Sequence, residues 1–537
     1  MKTPFTFLDL FCGCGGFSLG LMRAGFKGLA AIDFNSEAIQ VFQANLPEVP
    51  HVLEKDLTAF SPSDLEALIG TNQVDLIVGG PPCQGFSTAR QVDGANHGDR
   101  LKADPRRHLY KEFLRHVSHF QPKVFVMENV LGIRSASGGL YFSKVQAEAR
   151  ALGYRVHAKI EECVNLGVPQ KRRRQLFIGT REELPAYFRP QLNPAKRSAM
   201  GATLWDAIGD LPALDAGEGE EECDYDMPRR LAVVKNQRAS DYLFNVLEAK
   251  KAKVLTAHRS RPHSARDLRD FLRLNEGESS AEAMRRGIEF EFPYDKTSFK
   301  DRYTRQHRDR PCSTIVAHLA KDGLMFIHPT QNRTLTPREA ARVQSFPDWF
   351  KFPVARTHQF RVIGNAVPPL VSEAVGNAVA KYLKSLNAKP KRSASNLVLL
   401  PDSDVQAATW VANIAQLNSR ELRKVPLVAL KRAWYSVAFL YMGLHPDSAL
   451  DHGTTILDDA VDHPAIRAIE PRLLGPYFEQ SGWPVFLTPL ASEAWRRYEL
   501  GQFKDDEFYC SDAQIAGACF RDPEFAKAIE KSRQITA

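Results

Sequence analysis

The sequence predicts an α/β protein: a parallel, Rossmann-like sheet domain, then a smaller basic region, then a mainly helical extension. Three observations predict it. Residues 5–24 read as strand, glycine turn and helix, the opening of a nucleotide-type α/β fold. Three successive apolar strands, 5–11, 28–32 and 51–54, end in that glycine turn, in Asp33 and just before Asp56. A fourth apolar run, Val74 to Val78, breaks at Gly79-Gly80-Pro81-Pro82, as a parallel strand covered on both faces does.

The elements follow in order. Gly13, Gly15 and Gly16 let a ligand approach the backbone, and the helix from about Phe17 offers free N–H groups. The pattern falls short of GxGxxG, and the chain holds no GxxxxGK[ST], which argues against ATP hydrolysis. Asp33 stands about 20 positions past the turn, where a ribose hydroxyl pair is bound; with Ser36 and Glu37 following, it reads equally as a helix N-cap. Phe34 would stack on a purine. Cys83 sits on a loop stiffened by Pro81 and Pro82, just past a strand end, and is a candidate nucleophile. A packed, inert thiol is the other reading. Residues 86–107 are polar and long enough for a functional lid. A helix from about Pro105 to Phe120 leads to the strand Lys123–Met127. Glu128 then stands opposite Cys83 on the adjacent strand end, placed for acid–base work. The run Gln170–Arg174 enters the strand Gln175–Gly179. Alternation would turn Arg172 and Arg174 to one face, toward the thiol; a surface basic patch is the alternative.

These residues carry a resemblance. The segments DLFCGCGGFSLGL (9–21), IDFN (32–35), GGPPCQGFS (79–87), ENV (128–130), QKRRRQLFIG (170–179), RTLTPREAARVQSFPDWF (333–350) and RVIGNAVPPLV (361–371) resemble, in order, the motifs of the DNA cytosine-5 methyltransferase family of bacterial restriction-modification type. Cys12 and Cys14 depart from the small or apolar residues usual in the first motif. The resemblance implies an S-adenosylmethionine-dependent sheet domain with a target-recognition domain. It implies methyl transfer to C5 of a flipped-out cytosine within a specific double-stranded DNA sequence, through a covalent bond from Cys83 to C6. Glu128, Arg172 and Arg174 would complete the catalytic set. The donor pocket would comprise Phe11, Gly13, Gly15, Gly16, Asp33, Phe34, Asp56, Leu57, Pro82 and Leu109, closed by Asn365 and Val367. Two alternatives stand beside this: methylation of tRNA cytosine, and a catalytically silent DNA-binding regulator.

The rest of the chain fits that frame. Its 537 residues are 44% hydrophobic and 25% charged, with a net charge of +8, consistent with a polyanionic partner. The expected division is 1–185 catalytic, 186–354 recognition, 355–388 the returning end of the catalytic domain, and 396–537 an accessory domain. Between Arg229 and Arg273 stand twelve Lys/Arg against four Asp/Glu, so the DNA-facing charge is expected there. Thr336-Pro337-Arg338-Glu339 reads as a capping box opening a helix to about Phe346. Lys389–Ser395 reads as a linker. The eight cysteines lack zinc spacing, and the His- and Asp-rich stretch 447–463 lacks ligand spacing, so no metal is expected. Free thiols and the lack of a long apolar run suggest a cytoplasmic protein without membrane contact. The C-terminal domain is where restriction or defence-system proteins would bind.

Overall fold

The computed structural model describes residues 4–82, 108–136, 139–181, most of 190–387 (the longest gap is 293–302), and scattered residues between 419 and 502. Cys83 and all positions to 107 lie outside the described residues, as do 447–463. The chain divides into two units, Met1–Lys389 and Pro390–Ala537.

The first unit is built on seven strands: β1 (Thr6–Leu10), β2 (Lys27–Asp33), β3 (His51–Glu54), β4 (Leu76–Gly79), β5 (Val124–Asn129), β6 (Arg155–Glu162) and β7 (Arg173–Thr180). They lie in the order β3-β2-β1-β4-β5-β7-β6. The pairings among β1 to β5 are parallel, while β7 runs antiparallel to both β5 and β6. The strand order reverses between β1 and β4, which makes the rim there a switch point, where α/β sheets bind ligands. Side chains alternate across the sheet. Leu8, Leu10, Ile77 and Phe125 pack under α4 (Leu109–Phe120) and α5 (Leu140–Ala151). On the other face Phe7, Leu76, Val78 and Ile178 pack under α1 (Gly16–Arg23) and a late helix (Pro369–Asn387).

That late helix shows how the chain end returns to its start. Label the intervening helices α6 (Pro337–Val343) and α7 (Arg356–Asn365), and the late one α8. The α1–α8 approach leaves no room for side chains at two α1 positions. A Cβ on Gly16 would collide with the Val367 carbonyl oxygen, and one on Gly20 with Ser372 Oγ and the Glu373 amide. Ser372 Oγ donates to the Gly16 carbonyl at 2.9 Å.

Several boundaries differ from expectation. The first strand ends at Leu10, since Phe11 takes φ +59°. The helix opened by Thr336 stops at Val343, with Ser345 at φ +64°. Strand β6 and helix α7 were not anticipated; β6 is an edge strand, RVHAKIEE, in which Val156, Ala158 and Ile160 alternate with charged residues and His157, a signal that was there to be read. In the second unit, among the described residues, Arg497 donates to the carbonyls of Leu422 and Arg423 and pairs with Glu493.

The tight crossing generates a test. Alanine favours a helix over glycine by ~1 kcal/mol, yet overpacking costs about 1–3 kcal/mol. Gly20→Ala is therefore expected to lower the urea midpoint at unchanged slope; a higher midpoint would contradict the packing described.

Candidate active site

The rim is assembled from strand ends. After β1 the chain turns through Phe11, Gly13 (φ +54°) and Gly15 (φ +92°), both glycines left-handed. A Cβ on Gly15 would press on Leu46 and Phe42, whereas one on Gly13 would meet nothing within 4 Å. Gly13 thus borders open space. Gly15 is also the N-cap of α1 and supplies no side-chain acceptor to the helix's first turn.

Asp33 closes the turn from the neighbouring strand. Its Oδ2 accepts from Gly13 N at 2.9 Å and its Oδ1 from Asn35 N at 2.9 Å. Burial raises its pKa, opposed by those backbone hydrogen bonds. The ambiguity over Asp33 is resolved: the α2 N-cap (helix Ser36–Asn45) is Asn35, which accepts from Ala38 N at 2.8 Å. Phe34 stands 63% exposed beside it. Asp56 is exposed and accepts from Thr58 N and Oγ1 at 2.9 and 2.8 Å. Leu57 is buried in the cluster against which Phe11 packs. Leu109 is half-buried at the start of α4. Across the rim, Asn365 is exposed at the end of α7 and Val367 half-buried against the α1–α8 cluster. Cys12 and Cys14 are buried, and burial pushes both thiols up, Cys14 to about 12; neither is a ready nucleophile.

The second half of the rim lies between β4, β5 and β7. Glu128 is buried and its Oε1 pairs with Arg174 Nε at 2.7 Å. Its Oε2 lies 3.3 Å from where a Cβ on Gly80 would stand, so glycine there leaves that oxygen accessible. Asn129, to which no role was assigned from sequence, donates to the Pro81 carbonyl at 3.3 Å. It thereby ties β5 to the Pro81-Pro82 segment that leads into Cys83. Cys83 itself lies outside the described residues.

Arg172 is placed differently from expectation. It precedes β7, so strand alternation does not pair it with Arg174. Its guanidinium is buried and donates to the carbonyls of Ile315 (2.8 Å), Ala366 (2.9 Å) and Gly364 (3.4 Å). It holds the backbone of the rim, while Arg174 reaches Glu128. Gln170, likewise unassigned from sequence, accepts from Ile315 N at 3.1 Å and donates to Val343 O at 3.2 Å.

The basic segment also differs. Among the described residues, Arg230 pairs with Asp210, Arg238 with Asp206, Lys251 with Glu248, Arg269 with Glu291, and Arg273 with Asp270 and Glu291. Three carboxylates from outside the stretch, Asp206, Asp210 and Glu291, therefore reduce the surplus, while Lys250, Lys253 and Arg259 are exposed and form no ion pair among the described residues. Among the described residues no cluster of three or more His, Cys, Asp or Glu side chains could hold a metal ion, and no helix is long and apolar enough to cross a membrane.

One buried acid underlies the turn. Asp9 on β1 accepts from Ser18 Oγ at 2.6 Å, its Oδ1 has no hydrogen-bond partner among the described residues, and burial pushes its pKa up to about 7. An unfolded Asp titrates near ~3.9, so the folded protein keeps this proton longer. Asp9 then contributes stability fully below about pH 4, and loses it as pH rises through about 7. Asp9→Asn should flatten the fall of the urea midpoint across that window; parallel wild-type and variant curves would exclude Asp9 as its source.

Comparison with known proteins adds four findings. The family model for C-5 cytosine-specific DNA methylase matches residues 5–381. The Type II methyltransferase M.DdeI of Desulfomicrobium norvegicum is 36% identical over 430 residues, 76% of this chain and 95% of that protein. M1.HphI of Haemophilus parahaemolyticus is 34% identical, covering 70% of this chain and 87% of its own. Among solved structures, one from E. coli, described as a DNA modification methyltransferase encoded within a prophage, aligns with TM-score 0.54 at 28% identity, over 71% of this chain and 99% of that one.

Proposed function

Because the chain belongs to the C-5 cytosine-specific DNA methylase family, we propose that it methylates C5 of a flipped-out cytosine in a specific duplex DNA sequence, with Cys83 as nucleophile. The observation that carries the site assignment is the Glu128–Arg174 pair, held on the strand end next to the Pro81-Pro82 segment that runs into Cys83.

The chemistry follows from the residues. C5 of cytosine is a weak nucleophile. A bond from the Cys83 sulfur to C6 makes C5 enamine-like, splitting one hard step into easier ones. Glu128 engages N3, where charge builds as sulfur adds, and Arg174 fixes its orientation through Oε1. S-adenosylmethionine, the donor that goes with this family and fold, supplies an electrophilic methyl group. The Gly13 turn, Asp33 and Phe34 fit such a donor: open space, an acceptor for ribose hydroxyls and an exposed ring for adenine. The uncapped start of α1 suits its carboxylate. With the methyl group on C5, loss of the C5 proton to a base lets the C6–S bond break and returns the thiolate. Duplex DNA hides C6, so the base leaves the stack at a cost of a few kcal/mol. The relatives named as Type II methyltransferases make protection of DNA within a restriction-modification system the biological reading, with 396–537 as the part available to partner proteins.

Cys83→Ser should abolish transfer of labelled methyl groups to DNA while leaving DNA binding intact; near-normal turnover would refute the nucleophile. DNA carrying 5-fluorocytosine at the target should trap a covalent complex, because fluorine cannot leave as a proton does. Labelling of tRNA but not DNA would overturn the substrate assignment.

A further inference from the structure

An edge strand presents one row of backbone donors and acceptors that its own sheet does not use, a template for a further strand. In this sheet β6 stands at one edge. Cys163 N donates to the Arg172 carbonyl at 2.8 Å, continuing the β6–β7 register. The odd-numbered residues of β6 therefore bond to β7, and the even-numbered ones turn their N–H and C=O groups outward. Among the described residues, no hydrogen bond satisfies the outward groups of Ala158, Ile160 and Glu162.

Proteins blunt such edges with proline, a bulge or a very short strand. Strand β6 has eight residues, no proline and an unbroken register with β7. Val156 is buried, whereas Ala158 is half-buried and Ile160 and Glu162 are exposed, so the accessible row is centred on Ile160. Ile160 is 40% exposed, on the face where Val156 packs with α5, and Leu140 at the start of α5 is exposed too.

The charges select the occupant. Lys159 alone would guard the edge, but Glu161 follows two positions on, on the same face. An antiparallel strand of the same sequence, with Ile160 opposite Ile160, sets Lys159 opposite Glu161 and Glu161 opposite Lys159. These are the closely spaced positions of the ladder, where opposite charges stabilise and like charges repel. Centring the pair on Ala158 instead would draw the buried Val156 into the row and set Lys159 against His157. The strand thus complements itself in one register. We propose that β6 pairs with β6 of a second copy of this chain, antiparallel about a two-fold axis at Ile160, joining the two sheets. The contact is isologous: each copy gives and receives the same pair. Strand β6 runs parallel to β5, whose end carries Glu128, so the two rims open in opposite directions.

A contact this small gives a dimer that dissociates on dilution. Sedimentation equilibrium of the full chain over a concentration series should show monomer and dimer in exchange. Lys159→Glu and Glu161→Lys each set like charges opposite one another at two symmetric places, and each should weaken the dimer about tenfold. An equimolar mixture of these two variants should recover wild-type association, because each chain then meets its opposite. Ile160→Pro removes an outward N–H and spares the bonds to β7; it should leave a monomer with an unchanged far-UV circular dichroism spectrum. Thermal melts of the charge variants check folding. A wild-type chain monomeric up to ~100 μM, reversals without effect, or a mixture that does not recover would each overturn the proposal. Recovery of the Glu161→Lys chain by an Arg155→Glu chain in place of Lys159→Glu would overturn it too, since that pairing belongs to the register centred on Ala158.

Discussion

The rim depends on one buried guanidinium. Arg172 is 1% exposed, and taking such a cation out of water costs several kcal/mol unless its donors are met. Three carbonyls from two distant segments meet its two terminal nitrogens: Ile315, Gly364 and Ala366. The cost of leaving that charge unpaired holds the three segments in one arrangement. Its consequences spread in both directions. Toward the chain end it fixes the turn after α7, and so the entry to α8 and the contact of Val367 with α1. Toward β7 it fixes the residue before the strand, from which Arg174 reaches Glu128.

A second set of buried arginines ties residues 204–256 to the same framework. On α6 and just before it, Arg333 pairs with Glu339, and Arg342 with Asp210 and Asp348. Arg338 has no direct carboxylate; it donates to the Thr256 carbonyl and hydroxyl and to the Phe350 carbonyl at 2.7–2.9 Å. Burial lowers its pKa to about 10, still well above neutrality, so it stays charged. Replacing such groups by apolar ones of similar volume is often neutral for stability. Their use here is better explained by geometry: a planar fork accepts only one arrangement of acceptors. The capping box at Thr336 starts the helix, and the arginines decide what it packs against.

How much of this was legible in the sequence follows from the range of each interaction. Strand ends announce themselves locally, through glycine, acid and proline punctuation, and the rim residues Asp33, Gly80 and Glu128 sit where that punctuation puts them. Asp33 was ambiguous because its two readings differ by two residues, and only the observed cap on Asn35 separates them. Arg172 was misplaced because its partners lie 143 to 194 residues away, and strand alternation is a rule about neighbours. Asn129 and Gln170 were missed for the same reason: each acts on a backbone carbonyl or amide brought in from another segment, and no spacing in the sequence encodes that.

The charge of residues 229–273 shows the same limit in electrostatic form. A local excess of +8 between 229 and 273 assumes that each cation keeps its field. Yet the carboxylates that quench it stand outside the stretch, at Asp206, Asp210 and Glu291. An exposed ion pair is worth little to stability, about 0–1 kcal/mol, but the carboxylate still offsets the cation's attraction for a polyanion. Net charge per segment therefore measures composition, whereas attraction for DNA depends on the cations left over after folding. By that criterion the segment is left with Lys250, Lys253 and Arg259, which are exposed and form no ion pair among the described residues.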